Sequence, residues 1–100
     1  KTPFRAAYSK HVFHQYTLVL EGVDRNGLNQ YLADKGIPSM IYYPVPAHRQ
    51  KMFEAFGGSN YNLTTTDWLT ERVISLPMHT ELDEEQLKHI TSKVLEFINK

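Results

Sequence analysis

The chain has 100 residues, 11 basic and 11 acidic side chains, and no cysteine. That length makes one domain with a modest core, and the missing thiols exclude disulfides, thiolate metal sites and cysteine nucleophiles. With no net charge and no basic cluster, the electrostatic footprint of a nucleic-acid binder is absent, and no apolar run reaches the roughly twenty residues a membrane-crossing helix needs. Neither nucleic acid nor membrane is therefore an expected partner. Lys1-Thr2-Pro3-Phe4-Arg5 lacks the apolar core of a signal peptide, and the absence of cysteine agrees with a cytoplasmic protein.

Val12 to Leu20 is rich in β-branched and aromatic residues and is closed by Glu21-Gly22, which predicts a strand. Alternation places His14, Tyr16 and Leu18 on one face and Phe13, Gln15, Thr17 and Val19 on the other. Asp24 is placed to cap a helix whose Leu28, Tyr31 and Leu32 share a side, with Val23 and Leu28 as a hydrophobic staple. Asn26-Gly27 also suits a hairpin, but Leu28 to Lys35 lacks strand alternation and Gly36 supplies a helix stop. Ser39 to Tyr43 reads as a second strand. Pro44 and Pro46 end it, because they hold Tyr43 and Val45 extended and remove two amide donors. Tyr42, Tyr43 and His48 are thus delivered to a sheet edge. Two phenols and an imidazole there suit a polar ligand with an apolar face; cross-strand packing and the opening of the next helix are the structural alternatives.

Gln50 to Phe56 predicts a short helix that turns Met52, Phe53 and Phe56 to the core and stops at Gly57-Gly58. After a loop over Ser59 to Thr66, Thr65 or Thr66 is the expected cap of a helical piece reaching Arg72, with Trp68 and Leu69 packed inward. Val73 to Leu76 predicts a third strand, closed by Pro77. The last helix is predicted to run to about Ile98: Asp83 and Gln86 form a capping-box pattern, Leu82 and Leu87 a staple, and Leu87, Ile90, Val94, Phe97 and Ile98 an apolar stripe. Strand, helix, strand, two short helices, strand, helix gives an α/β (α+β) two-layer sandwich, a small sheet covered by helices on one side.

The residues offer little self-sufficient chemistry. His11 and His14 lie three apart, so on a strand they point to opposite faces and converge only where the strand begins after His11 or bulges, and no metal site is expected. His89 reads as a surface residue and His79 as a turn cap or packing group. Asp83, Glu84 and Glu85 sit in the first turn of the last helix, where they favour its dipole. No nucleophile elbow and no glycine-rich phosphate loop are present.

Three ordered segments carry a resemblance. Gly36-Ile37-Pro38 through Tyr43-Pro44-Val45-Pro46-Ala47-His48 to Gln50 resembles the GIP…HYPxPLHxQ signature of the DegT/DnrJ/EryC/StrS-type nucleotide-sugar aminotransferases. His11-Val12-Phe13-His14-Gln15-Tyr16-Thr17 resembles that family's hvfhQYti strand, and Val73-Ile74-Ser75-Leu76-Pro77-Met78-His79-Thr80-Glu81-Leu82 its vlsLPmhpxL strand and turn. The matches span about Ser9 to Ile98 and correspond to the carboxy-terminal domain alone; a first residue other than methionine fits an excised piece.

The resemblance implies a small, largely antiparallel sheet and a parent enzyme that uses pyridoxal 5'-phosphate on a lysine of its large domain, a lysine without a match here. It implies transfer of an amino group from an amino acid, glutamate as the usual donor, to a keto nucleotide sugar for polysaccharide, lipopolysaccharide or glycan synthesis. The implied partners are the nucleotide-sugar substrate, the large domain of the same chain and, at full length, a second copy in a homodimer. The fragment itself is expected to bind no cofactor and to be inactive. Tyr42 and Tyr43 stand where the family has HY, so Tyr43 becomes a hydroxyl donor or stacking surface. Tyr42 departs from the pattern: a phenol keeps a donor but loses a group that titrates near neutrality. His48 matches the motif's histidine, to bind substrate or brace the loop. Gln15 and Tyr16 match QY, and of the two strand faces the one with Tyr16 and His14 is expected to line the pocket. A dehydratase relative shares the same fold. The rival reading is a free-standing ligand-binding or dimerisation module, distinguished by whether a large apolar surface stays uncovered.

Overall fold

The computed structural model describes residues 1–100. Strands β1 (Tyr16–Val19) and β2 (Val73–Leu76) pair antiparallel, with Tyr16 opposite Leu76 and Val19 opposite Val73. On the other side of β2, Met40 exchanges both backbone hydrogen bonds with Ser75, at 3.0 and 2.7 Å, so β2 is the central strand of a three-position sheet. Helices α1 (Arg25–Asp34) and α3 (Glu84–Ile98) close over one face, and α2 (Thr64–Thr70) leads into β2. The core is Leu18 and Leu20 from the first strand and its exit, Leu28 and Leu32 from α1, Ile37, Ile74, and Ile90 and Val94 from α3. This is the expected α/β sandwich with an antiparallel sheet.

Local signals set the two long helices. Asp24 Oδ1 accepts from the amides of Asn26 and Gly27 at 3.1 and 3.0 Å, capping α1. At its other end Gly36 takes φ 73°, its amide donates to Ala33 and that of Ile37 to Leu32, a left-handed stop that also seats Ile37 on Leu32. Asp83 and Gln86 form the reciprocal capping box of α3, at 2.8 and 3.1 Å. The stripe on α3 is narrower than its sequence pattern: Ile90 and Val94 are buried and Phe97 packs beside them, but Leu87 and Ile98 remain exposed. Arg25 donates to the carbonyls of Thr70 and Val73, tying the start of α1 to the junction between α2 and β2.

Four further expectations are corrected. The first strand begins at Tyr16 rather than Val12, because Phe13 takes φ 49° in the left-handed region, with its amide on His11 Nδ1 and its ring stacked on His11. The strand over Ser39 to Tyr43 shrinks to the Met40 bridge; Pro38 before it and Pro44 and Pro46 after it deny a longer ladder its donors. Lys51–Phe56 is a 3₁₀ helix, with three residues per turn, so Phe53 and Phe56 stack on one side, beside His48, and Met52 is turned away from them. None of the three joins the core, with Met52 67% and Phe56 80% exposed. Finally, α2 starts at Thr64 without a side-chain cap, and Trp68 lies exposed beneath the Arg72 guanidinium, 4.9 Å from its ring centre, with Leu69 only half-buried.

Candidate functional site

The chain leaves the sheet at Met40 and runs along its edge to Pro46, and two depressions open there. The larger, about 430 Å³, has Tyr42, Tyr43, Pro46 and Gln50 on one wall and Thr66 and Leu69 of α2 on the other. The smaller, about 170 Å³, is lined by His14, Gln15, Met40, Tyr42 and Ser75. Tyr42 is the wall they share. Its ring meets that of Tyr43 edge-on, centroids 5.7 Å apart, and Tyr43 is 69% exposed. Two phenol rings inclined at 72° offer a flat apolar surface beside a hydroxyl, which suits a sugar face or a nucleobase.

Four of the six sequence-derived residues, Tyr42, Tyr43, His14 and Gln15, converge on these adjoining depressions. Tyr16 does not join them. It packs against the core beside Leu18, so the expected pocket face of β1 is the core face, and His14 escapes it only because it precedes the strand. His48 lines a third depression of about 300 Å³, with Phe53, Phe56 and Tyr61.

What holds His48 is a carboxylate that sequence reading did not single out. His48 is buried, and its Nε2 lies 3.2 Å from Asp67 Oδ1, an approach too oblique for a good hydrogen bond. Its Nδ1 has no partner. The same Asp67 accepts a two-pronged bond from Arg49, Nε to Oδ1 at 2.9 Å and Nη2 to Oδ2 at 2.7 Å. The Arg49 guanidinium holds the Asp67 carboxyl below the usual carboxylate range, and Asp67 in turn raises Arg49. Asp67 and Arg49 are 18 residues apart, with no motif linking them. The one cue was that Asp67 is the only acidic residue in the polar run Thr64-Thr65-Thr66-Asp67.

Neither groove beside Tyr42 contains a lysine or an arginine. No amine is present there to hold an aldehyde cofactor as a Schiff base, and no cationic cradle to hold its phosphate, so these residues do not fit pyridoxal phosphate by themselves. No helix is long and apolar enough to cross a membrane.

Residues 1–95 match the DegT/DnrJ/EryC1/StrS aminotransferase family. The chain belongs to that family. An 84-residue stretch is 43% identical to a UDP-N-acetyl-3-dehydro-alpha-D-glucosamine 3-aminotransferase of Acidithiobacillus ferrooxidans, over 84% of this chain and 22% of that protein. A pleiotropic regulatory protein of Geobacillus stearothermophilus is 38% identical over 96 residues, 96% of this chain and 25% of its own length. Among solved structures, a DegT DnrJ EryC1 StrS aminotransferase from Brucella abortus superposes on the whole chain with a TM-score of 0.84 and 32% identity, using 26% of its length. The chain therefore spans about a quarter of the length of the aminotransferase-family proteins it matches. In this DegT-family chain Tyr42 to Pro46, the segment that resembles HYPxP with Tyr42 in place of histidine, lies on the rim of the larger groove.

Proposed function

We propose that this chain is the carboxy-terminal domain of a cytoplasmic sugar aminotransferase. The enzyme moves an amino group from glutamate to the keto carbon of a nucleotide-linked sugar destined for polysaccharide, lipopolysaccharide or another glycan. The pyridoxal phosphate and its lysine belong to the remainder of the polypeptide, which works as a homodimer, and this piece alone is inactive. Tyr42 and Tyr43 present a hydroxyl and a stacking face to the nucleotide sugar when the domain closes against that remainder, and His14 and Gln15 supply further polar contacts.

The observation that carries this reading is the surface. The chain exposes 7729 Å², whereas a free-standing protein of this mass exposes about 5,800 Å². Its radius of gyration is 15.9 Å, against about 13 Å for a compact domain of equal length. The excess, about 1,900 Å², is on the scale of an obligate interface, and Phe4, Tyr8, Met52, Phe56 and Tyr61 stand on it largely bare. A self-sufficient binding module would have no reason to keep so much surface, with these large apolar side chains on it, wet.

The reading is tested on the whole protein. Its intact mass should be several times that of this chain, and borohydride should fix a visible cofactor band covalently to a lysine; a colourless product of this size overturns the proposal. The A. ferrooxidans relative makes a UDP-linked 3-keto sugar the first acceptor to offer. Tyr43→Phe is then expected to raise the KM for that acceptor about 3- to 10-fold, the worth of one hydrogen bond, without altering the reaction with glutamate alone. An unchanged acceptor KM removes the Tyr43 hydroxyl from the site.

A further inference from the structure

The larger groove has two walls of different origin. One is the turn running from Val45 to Gln50; the other is α2, through Thr66, Leu69 and Thr70. Arg49 and His48 belong to the turn that carries the first wall and Asp67 to the helix that carries the second, so the contacts of Arg49 and His48 with Asp67 tie the two carriers together behind the groove lining. No other side-chain hydrogen bond joins this turn to α2: Gln50 donates only to Val45, inside the turn itself. The turn is otherwise braced by its own 3₁₀ bonds and by its packing on the exposed 51–60 segment.

We infer that Asp67 is a positioning residue which, by clamping Arg49 and His48, sets the width of the groove between Tyr42–Tyr43 and α2 and so the fit of the sugar-nucleotide acceptor. The inference rests on the reading of that groove as the acceptor site. A planar guanidinium on both carboxylate oxygens fixes distance and angle together, which a single contact does not. The Arg49 side chain is 55% exposed, and an ion pair of that kind contributes little to global stability. What it determines is geometry, and acceptor binding is sensitive to shifts of about an ångström. His48 then acts from behind the groove: buried against Asp67, it fixes the direction in which the turn presents Pro46 and Gln50.

The test uses the full-length enzyme with glutamate and the UDP-linked 3-keto sugar. Asp67→Asn removes the charge while keeping the shape, and Arg49→Lys keeps the charge while losing the fork. Both are expected to raise acceptor KM about tenfold, with kcat and the cofactor band shift on adding glutamate alone unchanged, and Asp67→Glu should recover part of the loss. Amide hydrogen exchange over residues 45–50 should quicken about tenfold in both variants while α1 and α3 stay protected. An unchanged acceptor KM, or a glutamate half-reaction that falls in step with it, overturns the inference. If the wild-type enzyme does not aminate any keto nucleotide sugar, the functional reading fails by itself; exchange then decides the clamp, since unaltered protection over 45–50 overturns it and quickened exchange confined there supports it.

Discussion

Two stretches of this chain are equally rich in apolar residues and meet opposite fates. In α1, β1, β2 and α3, Leu28, Leu32 and Ile74 are wholly excluded from solvent. Between Val45 and Leu63, Met52, Phe56 and Tyr61 are each more than 60% exposed. Composition does not separate them. Leu28 and Leu32 recur at the spacing of a helix that faces Ile90 and Val94 of another, whereas the 3₁₀ segment turns three residues at a time and meets only the short turns on either side of it, around His48 and Tyr61. An apolar side chain becomes core only where a second surface is present. Under the proposed function, that second surface for the 51–61 segment lies in the remainder of the enzyme.

The sharpest way to break this contrast is to truncate one residue on each side of it. Leu32→Ala is expected to cost about 2–5 kcal/mol in urea unfolding of this chain, from lost burial and the cavity left behind. Phe56→Ala, at 80% exposure, should change stability by no more than about 0.5 kcal/mol. Comparable losses in the two variants would mean that the exposed segment belongs to the same cooperative unit as the core.

Two glycines refine the same contrast at smaller magnitude. At Gly36 an added Cβ meets nothing within 4 Å, but φ is 73°, so Gly36→Ala should cost about 1–2 kcal/mol of conformational strain, transmitted to the core through Ile37. Gly58 has the reverse problem. There a Cβ would sit 2.7 Å from the His48 carbonyl oxygen and 2.9 Å from that of Phe53, and backbone atoms cannot step aside singly. Gly58→Ala should displace the amide resonances of residues 47–58 and leave the thermal midpoint close to the wild type. A midpoint lowered as far as by Leu32→Ala would again join the two regions.

The same division explains what was legible in the sequence. Helix ends are local decisions, so Asp24, Gly36 and the Asp83–Gln86 box stand where their residue types put them. Paired apolar stripes also read correctly at Leu28, Leu32, Ile90 and Val94, because each faces another element of this chain. Pro44 and Pro46 brought Tyr42 and Tyr43 to a sheet edge, where they line a groove. Three things had no local signal. Phe13 adopts a left-handed backbone that a bulky side chain disfavours, and that ends the alternation from which the Tyr16 face was read. The direction of Phe53 and Phe56 follows from a 3₁₀ turn in place of the α-helix that the apolar spacing suggested. The Asp67 clamp is a contact across the fold, visible only once α2 lies beside the turn.

Each region also has one carboxylate held in ionised form, and acid should affect both with the same sign. In the core half, Lys93 donates to Glu96 at 2.7 Å and, with the nearby Tyr31 hydroxyl as the lesser influence, lowers its carboxyl from 4.5 to about 2. In the exposed half, Arg49 lowers Asp67. A carboxyl depressed in the folded state takes up its proton later than in the unfolded chain, so its stabilisation is complete above the ordinary value and is lost as pH falls through the depressed one. For Glu96 that window lies between 4.5 and about 2. Both pairs are solvent-accessible, so the effect should be small, the least of those expected here. Urea unfolding at a series of pH values from 7 down to 2 should show a declining acid limb that Glu96→Gln makes shallower. If the variant declines as steeply as the wild type, the Lys93 pair contributes nothing to the acid response, and the fall belongs to the Arg49–Asp67 pair.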